Sequence, residues 1–166
     1  MAAIVTIDEV EVLAKKQLVG YCAIMDSSQV SLCYDRLWSN FLERLSNIDL
    51  PHSRNLYGVC NNLNCNSGFF EYWTAIETLA GDQLPDDLVN IPLSAGTYGC
   101  GIGDNDRNLP TVYSRMIEGW SLPAEYILNS KEPFFEIYRP DWFHRMAVRI
   151  FVPLQVLNME AEGCLG

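Results

Sequence analysis

Glu136 is the residue whose neighbours place it best to do chemistry. It lies in Pro133-Phe134-Phe135-Glu136-Ile137-Tyr138, a short run of aromatic and β-branched residues that suits a strand. Alternation sends Phe134, Glu136 and Tyr138 to one face and Phe135 and Ile137 to the other. A carboxylate between two aromatic rings has two readings. On an edge strand the glutamate simply meets water, as most glutamates do. On a pocket wall it suits an organic cation, with Glu136 answering the charge and the rings answering the flat apolar parts. Taken alone, the strand reads as the first.

Other chemistry-bearing groups are sparse. His52 and His144 are the only histidines, too few and too separated for a metal cluster. Cys60 and Cys65 have four residues between them and no second pair to complete a zinc site. The six cysteines, Cys22, Cys33, Cys60, Cys65, Cys100 and Cys164, read as reduced, mostly buried thiols of a cytosolic protein. Gly99 to Gly103 is no phosphate loop, because no Lys-Ser or Lys-Thr follows it. No serine or cysteine occupies a recognisable nucleophile setting. No cofactor is expected.

These groups must be positioned by a chain of 166 residues, enough for one domain or two small repeats sharing a core. A hydrophobic content of 49% and an aromatic content of 11% call for a filled interior. Net charge is −10, which repels phosphate backbones, disfavours direct nucleic-acid binding and attracts cations. The first residues lack a basic segment and soon meet Asp8, Glu9 and Glu11, unlike a secretion signal. No apolar run approaches the ~20 residues of a membrane span.

Val10 to Met25 reads as extended, apolar on both faces like an inner strand. Asp26-Ser27-Ser28 offers a helix N-cap. From Val30 a helical period takes over, with Val30, Cys33, Leu37, Phe41, Leu45 and Ile48 on one stripe, widened by Tyr34, Trp38 and Leu42. Asn55–Cys60 and Phe69–Thr78 follow as strands around an Asn- and Gly-rich loop. After a polar connector the order recurs: an extended Leu88 to about Gly101, and a second helix from Asn108 with Val112, Met116 and Trp120 on its stripe. The Glu136 strand comes next, then a last strand from Arg145 to Pro153. Neither half can cover its own sheet face, so the halves should pair.

Four motifs in this order resemble the gyrase-inhibitor-like (GyrI-like) domain, which is also the effector-binding half of multidrug-sensing bacterial regulators of the AraC and MerR types. They are Phe70-Glu-Tyr72 with Ala75-Ile76-Glu77, then Ile91-Pro-Leu-Ser-Ala-Gly96-Thr-Tyr98. Tyr113 to Pro123 follows, and then Pro133-x-x-Glu136-Ile-Tyr138, with a final strand ending Val152-Pro153. The match runs from about Val10 to Leu154. It implies a single α+β domain over residues 1–166, built from two β-α-β-β repeats (about 10–80 and 86–154) with pseudo-twofold symmetry. An antiparallel sheet with two long helices would enclose a central ligand groove. The chain departs from the family where Tyr98 is followed by Gly99-Cys-Gly-Ile-Gly103, which makes room for a ligand or marks a bulge. It also holds no helix-turn-helix reader, which implies a stand-alone sensor or binder.

The resemblance moves Glu136 to the position that neutralises lipophilic cations, with Tyr138 lining the same groove. Tyr72 is favoured for the groove over Trp73, which lies on the opposite strand face and would pack against a helix. Phe134 is a wall candidate. Tyr57, Trp38 and Trp120 are candidates for the groove's ends, and Tyr98 for its lining, with core packing open for each. Glu71 and Glu77 read as solvated or as a second carboxylate. A related family binds haem, for which His144 is a weak match. The implied partners are small aromatic or amphipathic cations; a homodimer or a protein partner stays open. The implied alternatives are hydrolysis of cyclopropane-bearing natural products, with Glu136 as general base helped by Tyr138 or Tyr72, and inhibition of a topoisomerase by contact.

Overall fold

The computed structural model describes residues 9–26, 30–48, 54–61, 69–104, 123–129, 131–138 and 147–157. The expected second helix, with Trp120, lies outside them, as do both histidines, Cys65 and Cys164.

The first extended stretch is two strands, β1 (Glu9–Leu13) and β2 (Lys16–Asp26). Helix α1 (Val30–Ser46) follows, then β3 (Leu56–Asn61) and β4 (Phe69–Glu77). The second extended stretch also divides, into β5 (Val89–Leu93) and β6 (Gly96–Asp104). The chain continues through β7 (Tyr126–Leu128), β8 (Phe134–Tyr138) and β9 (Ala147–Val156). All nine strands join one sheet in the order β1-β6-β9-β8-β3-β4-β2-β5, with β7 also on β9. Every pairing is antiparallel. This is a sheet-dominated α+β fold.

Strand order follows from composition. β3 and β8 are adjacent at the middle of the sheet, and both are almost entirely buried, as near-continuous apolar runs require. β5 ends the path and can therefore carry Pro92, which has no ladder donor to offer. β5 pairs only with Lys16–Gly20; beyond that pairing Cys22 and Ile24 are exposed on one face of β2, while Met25 on the other stays buried. Gly20 lets β2 approach β4, because a Cβ there would overlap the backbone of Thr74 and Ala75. The glycine-thinned β6 pairs residue for residue with β9 from Thr97 to Asp104, so that run holds no bulge.

The sheet separates two cores. One contains Tyr34, Trp38 and Phe41 of α1 packed on Met25, Cys60, Phe70, Tyr72, Phe134, Tyr138 and Ile150. The other contains Tyr57, Val59, Ala75, Tyr98, Phe135 and Phe151, with Phe135 and Phe151 stacked 4.9 Å apart. Each buried large apolar side chain contributes about 1.5–3 kcal/mol. Leu42, read as part of the buried stripe of α1, is exposed.

Polar ties hold the ends of these elements. Ser46 Oγ and Asn47 Nδ2 both donate to the Glu43 carbonyl, capping α1. Arg44 Nη2 reaches Asp87 Oδ1 at 2.8 Å, and Tyr21 donates to Asp87 Oδ2. Arg54 Nη2 meets Asp82 Oδ1 at 2.8 Å, and Asp82 Oδ2 also accepts the Leu79 N–H. Gly81 supplies the positive φ of 90° that this turn needs.

Candidate functional site

Glu136 is fully buried. β8 is flanked by β3 and β9, so Glu136 stands opposite Gly58 on one side and Ile150 on the other. The solvent-facing reading of this strand is thereby excluded. A buried carboxylate is stable only where hydrogen bonds replace its hydration, and tyrosines supply them. Tyr72 donates to Glu136 Oε1 in a short contact, and Tyr138 donates to the same oxygen at 3.0 Å.

Each tyrosine is tied in turn to α1. Trp38 Nε1 donates to the Tyr72 hydroxyl at 3.1 Å. The Tyr34 and Tyr138 hydroxyls are 2.8 Å apart. Tyr138 spends its one proton on Glu136, so Tyr34 is the donor there. Tyr34 and Trp38 are one helical turn apart and share a face. Two donor chains therefore leave α1 and converge on one carboxylate oxygen. Their rings form a box: Trp38 stands edge-on to Tyr138 at 5.2 Å, and Tyr34 lies 5.4 Å from Tyr72.

The electrostatics agree with this polarity. Burial pushes the pKa values of Tyr34 and Tyr72 above that of an ordinary phenol, and the Glu136 charge adds to the rise. Both hydroxyls stay protonated and remain donors. Cys60, buried on the same face, is pushed up first by burial and then by Glu136, so its thiol is inert.

Space for the carboxyl comes from Gly58. A Cβ there would collide with Glu136 Oε1 and with the Tyr72 hydroxyl. The glycine is a cradle.

Of the residues singled out from sequence, Glu136, Tyr138, Tyr72 and Trp38 come together, with Phe134 buried on the same face. Tyr57 and Tyr98 do not join them. Strand alternation puts both in the opposite core, where Tyr57 donates to Glu77 Oε2 and Tyr98 to the Ser94 carbonyl. Trp73 also lies there, away from α1. Glu77 meets Lys16 at 3.6 Å, and Glu71 accepts from the Cys22 thiol, so neither supplies a second carboxylate to this face. Trp120 lies outside the described residues.

Sequence reasoning missed Tyr34 and Gly58. Tyr34 was legible from its four-residue spacing to Trp38, and Gly58 from being a glycine inside an apolar strand. Among the described residues no group of three or more His, Cys, Asp or Glu could hold a metal ion, and no helix is long and apolar enough to cross a membrane.

No family model and no curated protein matches the chain. Solved structures do. An integron cassette protein from the mobile metagenome of Vibrio cholerae is 14% identical, with a TM-score of 0.60 over 92% of this chain and 98% of its own. SAV2435, solved bound to tetraphenylphosphonium, is 15% identical, with a TM-score of 0.59 over 95% and 98%. The C-terminal domain of EcmrR is 10% identical, with a TM-score of 0.57 over 90% and 97%. At these identities the likeness is one of fold alone, and the chain shares the fold of these three structures.

Proposed function

We propose that this protein binds lipophilic aromatic cations at Glu136, as a stand-alone sensor or sequestering domain. One observation carries the reading: a fully buried carboxylate held by two tyrosine hydroxyls inside a box of four aromatic rings. Burying a charge is costly, and a purely structural core has no need of one. A fold neighbour bound to tetraphenylphosphonium supports the ligand class, as does the net charge of −10.

Each ring in contact with a cation contributes about 0.5–2 kcal/mol. Four rings add about 2–8 kcal/mol, so the carboxylate must contribute for binding to approach the roughly 8 kcal/mol of a micromolar complex. Glu136 and Tyr72 are both fully buried under α1, so the ligand must displace Tyr34 and Trp38 from above the carboxylate. Titration with tetraphenylphosphonium should therefore change the Trp38 emission, with Trp38→Phe as the control. Glu136→Gln should weaken binding at least tenfold. Unchanged affinity in that variant rejects the cation role.

The fold reading that accompanies this proposal has a second long helix within residues 108–120 and pseudo-twofold symmetry between two β-α-β-β modules. In the same reading the protein is cytoplasmic, in keeping with the free thiols of Cys22, Cys33, Cys60 and Cys100, and acts without touching nucleic acid itself. Hydrolysis of a strained electrophile is the second reading, since Tyr72 and Tyr138 would orient Glu136 as a base. Against it, Oε1 already accepts two hydroxyl protons. Product release from a cyclopropane electrophile, lost in Glu136→Gln, would decide for it.

A further inference from the structure

Thr74 is fully buried, and its Oγ1 has no hydrogen-bond partner among the described residues. Such a hydroxyl is costly in a core and usually signals a missing partner. Its position says which one. The ladders align Tyr21, Thr74, Gly58 and Glu136 in a single row across β2, β4, β3 and β8. Thr74 lies two residues from Tyr72 on the same strand, so the two share a face. Gly58, between Thr74 and Glu136, contributes no side chain, and the Glu136 carboxyl and Tyr72 hydroxyl lean over it. The threonine hydroxyl therefore flanks this space from the side opposite Glu136, about 5 Å beyond Gly58.

We propose that Thr74 is a second polar anchor of the Glu136 site, hydrogen-bonding an amino or hydroxyl substituent on the bound cation. This rests on the cation-binding reading above and narrows it. Glu136 and the rings answer charge and flatness, which all aromatic cations share. Thr74 distinguishes those that carry a hydrogen-bonding substituent from those that do not. A valine in its place keeps the shape and removes only that discrimination.

The test compares two probes by titration on the full chain. Tetraphenylphosphonium has no hydrogen-bonding group; proflavine, a diaminoacridinium cation, has two amino groups. Thr74→Val should weaken proflavine about tenfold and leave tetraphenylphosphonium within about twofold. Thr74→Ser should retain proflavine binding. The Tm of unliganded Thr74→Val should hold or rise, since an unpaired hydroxyl is removed. Equal effects of Thr74→Val on both probes, or none on either, overturn the proposal. So does a fall in Tm with both probes weakened alike, which marks a structural hydroxyl. Glu136→Gln separates the two claims. If it weakens both probes while Thr74→Val spares both, cation binding stands and the Thr74 anchor falls. If Glu136→Gln spares both, or neither probe binds the wild type, both claims fall.

Discussion

Gly58 faces Glu136 across the β3–β8 ladder, and the volume its missing side chain leaves is filled by the Glu136 carboxyl and the Tyr72 hydroxyl. Shape and charge meet at this one pair of residues.

The first prediction concerns that contact. Gly58→Ala inserts a methyl group where both oxygens lie, and neither is the end of a side chain free to swing into water. Overpacking of this kind costs about 1–3 kcal/mol. Urea unfolding should show that loss, and tetraphenylphosphonium binding should fall because the carboxyl is displaced. An alanine variant as stable as the wild type would show that the cradle has slack.

The donor chains predict an ordering. Tyr72→Phe removes a proton donor from Glu136 and the acceptor of Trp38 Nε1, leaving two buried groups short of a partner. Tyr138→Phe removes the second donor to Glu136 and the acceptor of Tyr34. Each variant should lose about 1–3 kcal/mol, with Tyr72→Phe the more costly because the rigid indole N–H of Trp38 cannot turn to another acceptor, whereas the Tyr34 hydroxyl can rotate. The double variant should lose less than the sum, since the two hydroxyls share one oxygen. Strict additivity in urea unfolding would mean that the two arms act independently.

Acid sensitivity is predicted at the two arginine clamps. The Arg54 guanidinium, with help from the Leu79 N–H, holds Asp82 down to about 2 from an ordinary 3.8. Arg44 and then Tyr21 do the same to Asp87, also to about 2. Between those values the unfolded chain binds protons that the folded one does not, so stability falls as pH falls. Their contribution is complete above about pH 4 and gone below about pH 2. Urea midpoints measured from pH 5 to pH 2 should fall less steeply in Asp82→Asn/Asp87→Asn than in the wild type. Parallel curves would show that the clamps do not stabilise the fold.

Much of this was legible in the residues themselves. The period of α1 put Tyr34, Trp38 and Phe41 on its buried stripe, because a helix can hide only one side. Alternation in Phe134–Tyr138 put Glu136 with Phe134 and Tyr138 for an equally local reason. The breaks at Ala14-Lys15 and Ser94-Ala95 were not legible, since apolar residues continue on both sides of them. The short strand Tyr126–Leu128 escaped because three residues carry too little pattern.

The sequence by itself determined the faces of the elements, the acidic character of the chain and the identity of Glu136 as the residue to watch. Backbone periodicity is local, and local spacing is enough to say which side chains travel together. Only the tertiary structure decided that this face is interior, that Tyr57 and Tyr98 belong to the other core, and that Gly58 stands between Thr74 and Glu136 in one row across the sheet. Those facts depend on which strand lies beside which. That order is set by the burial of the whole sheet between its two cores, and no single stretch of the chain contains it.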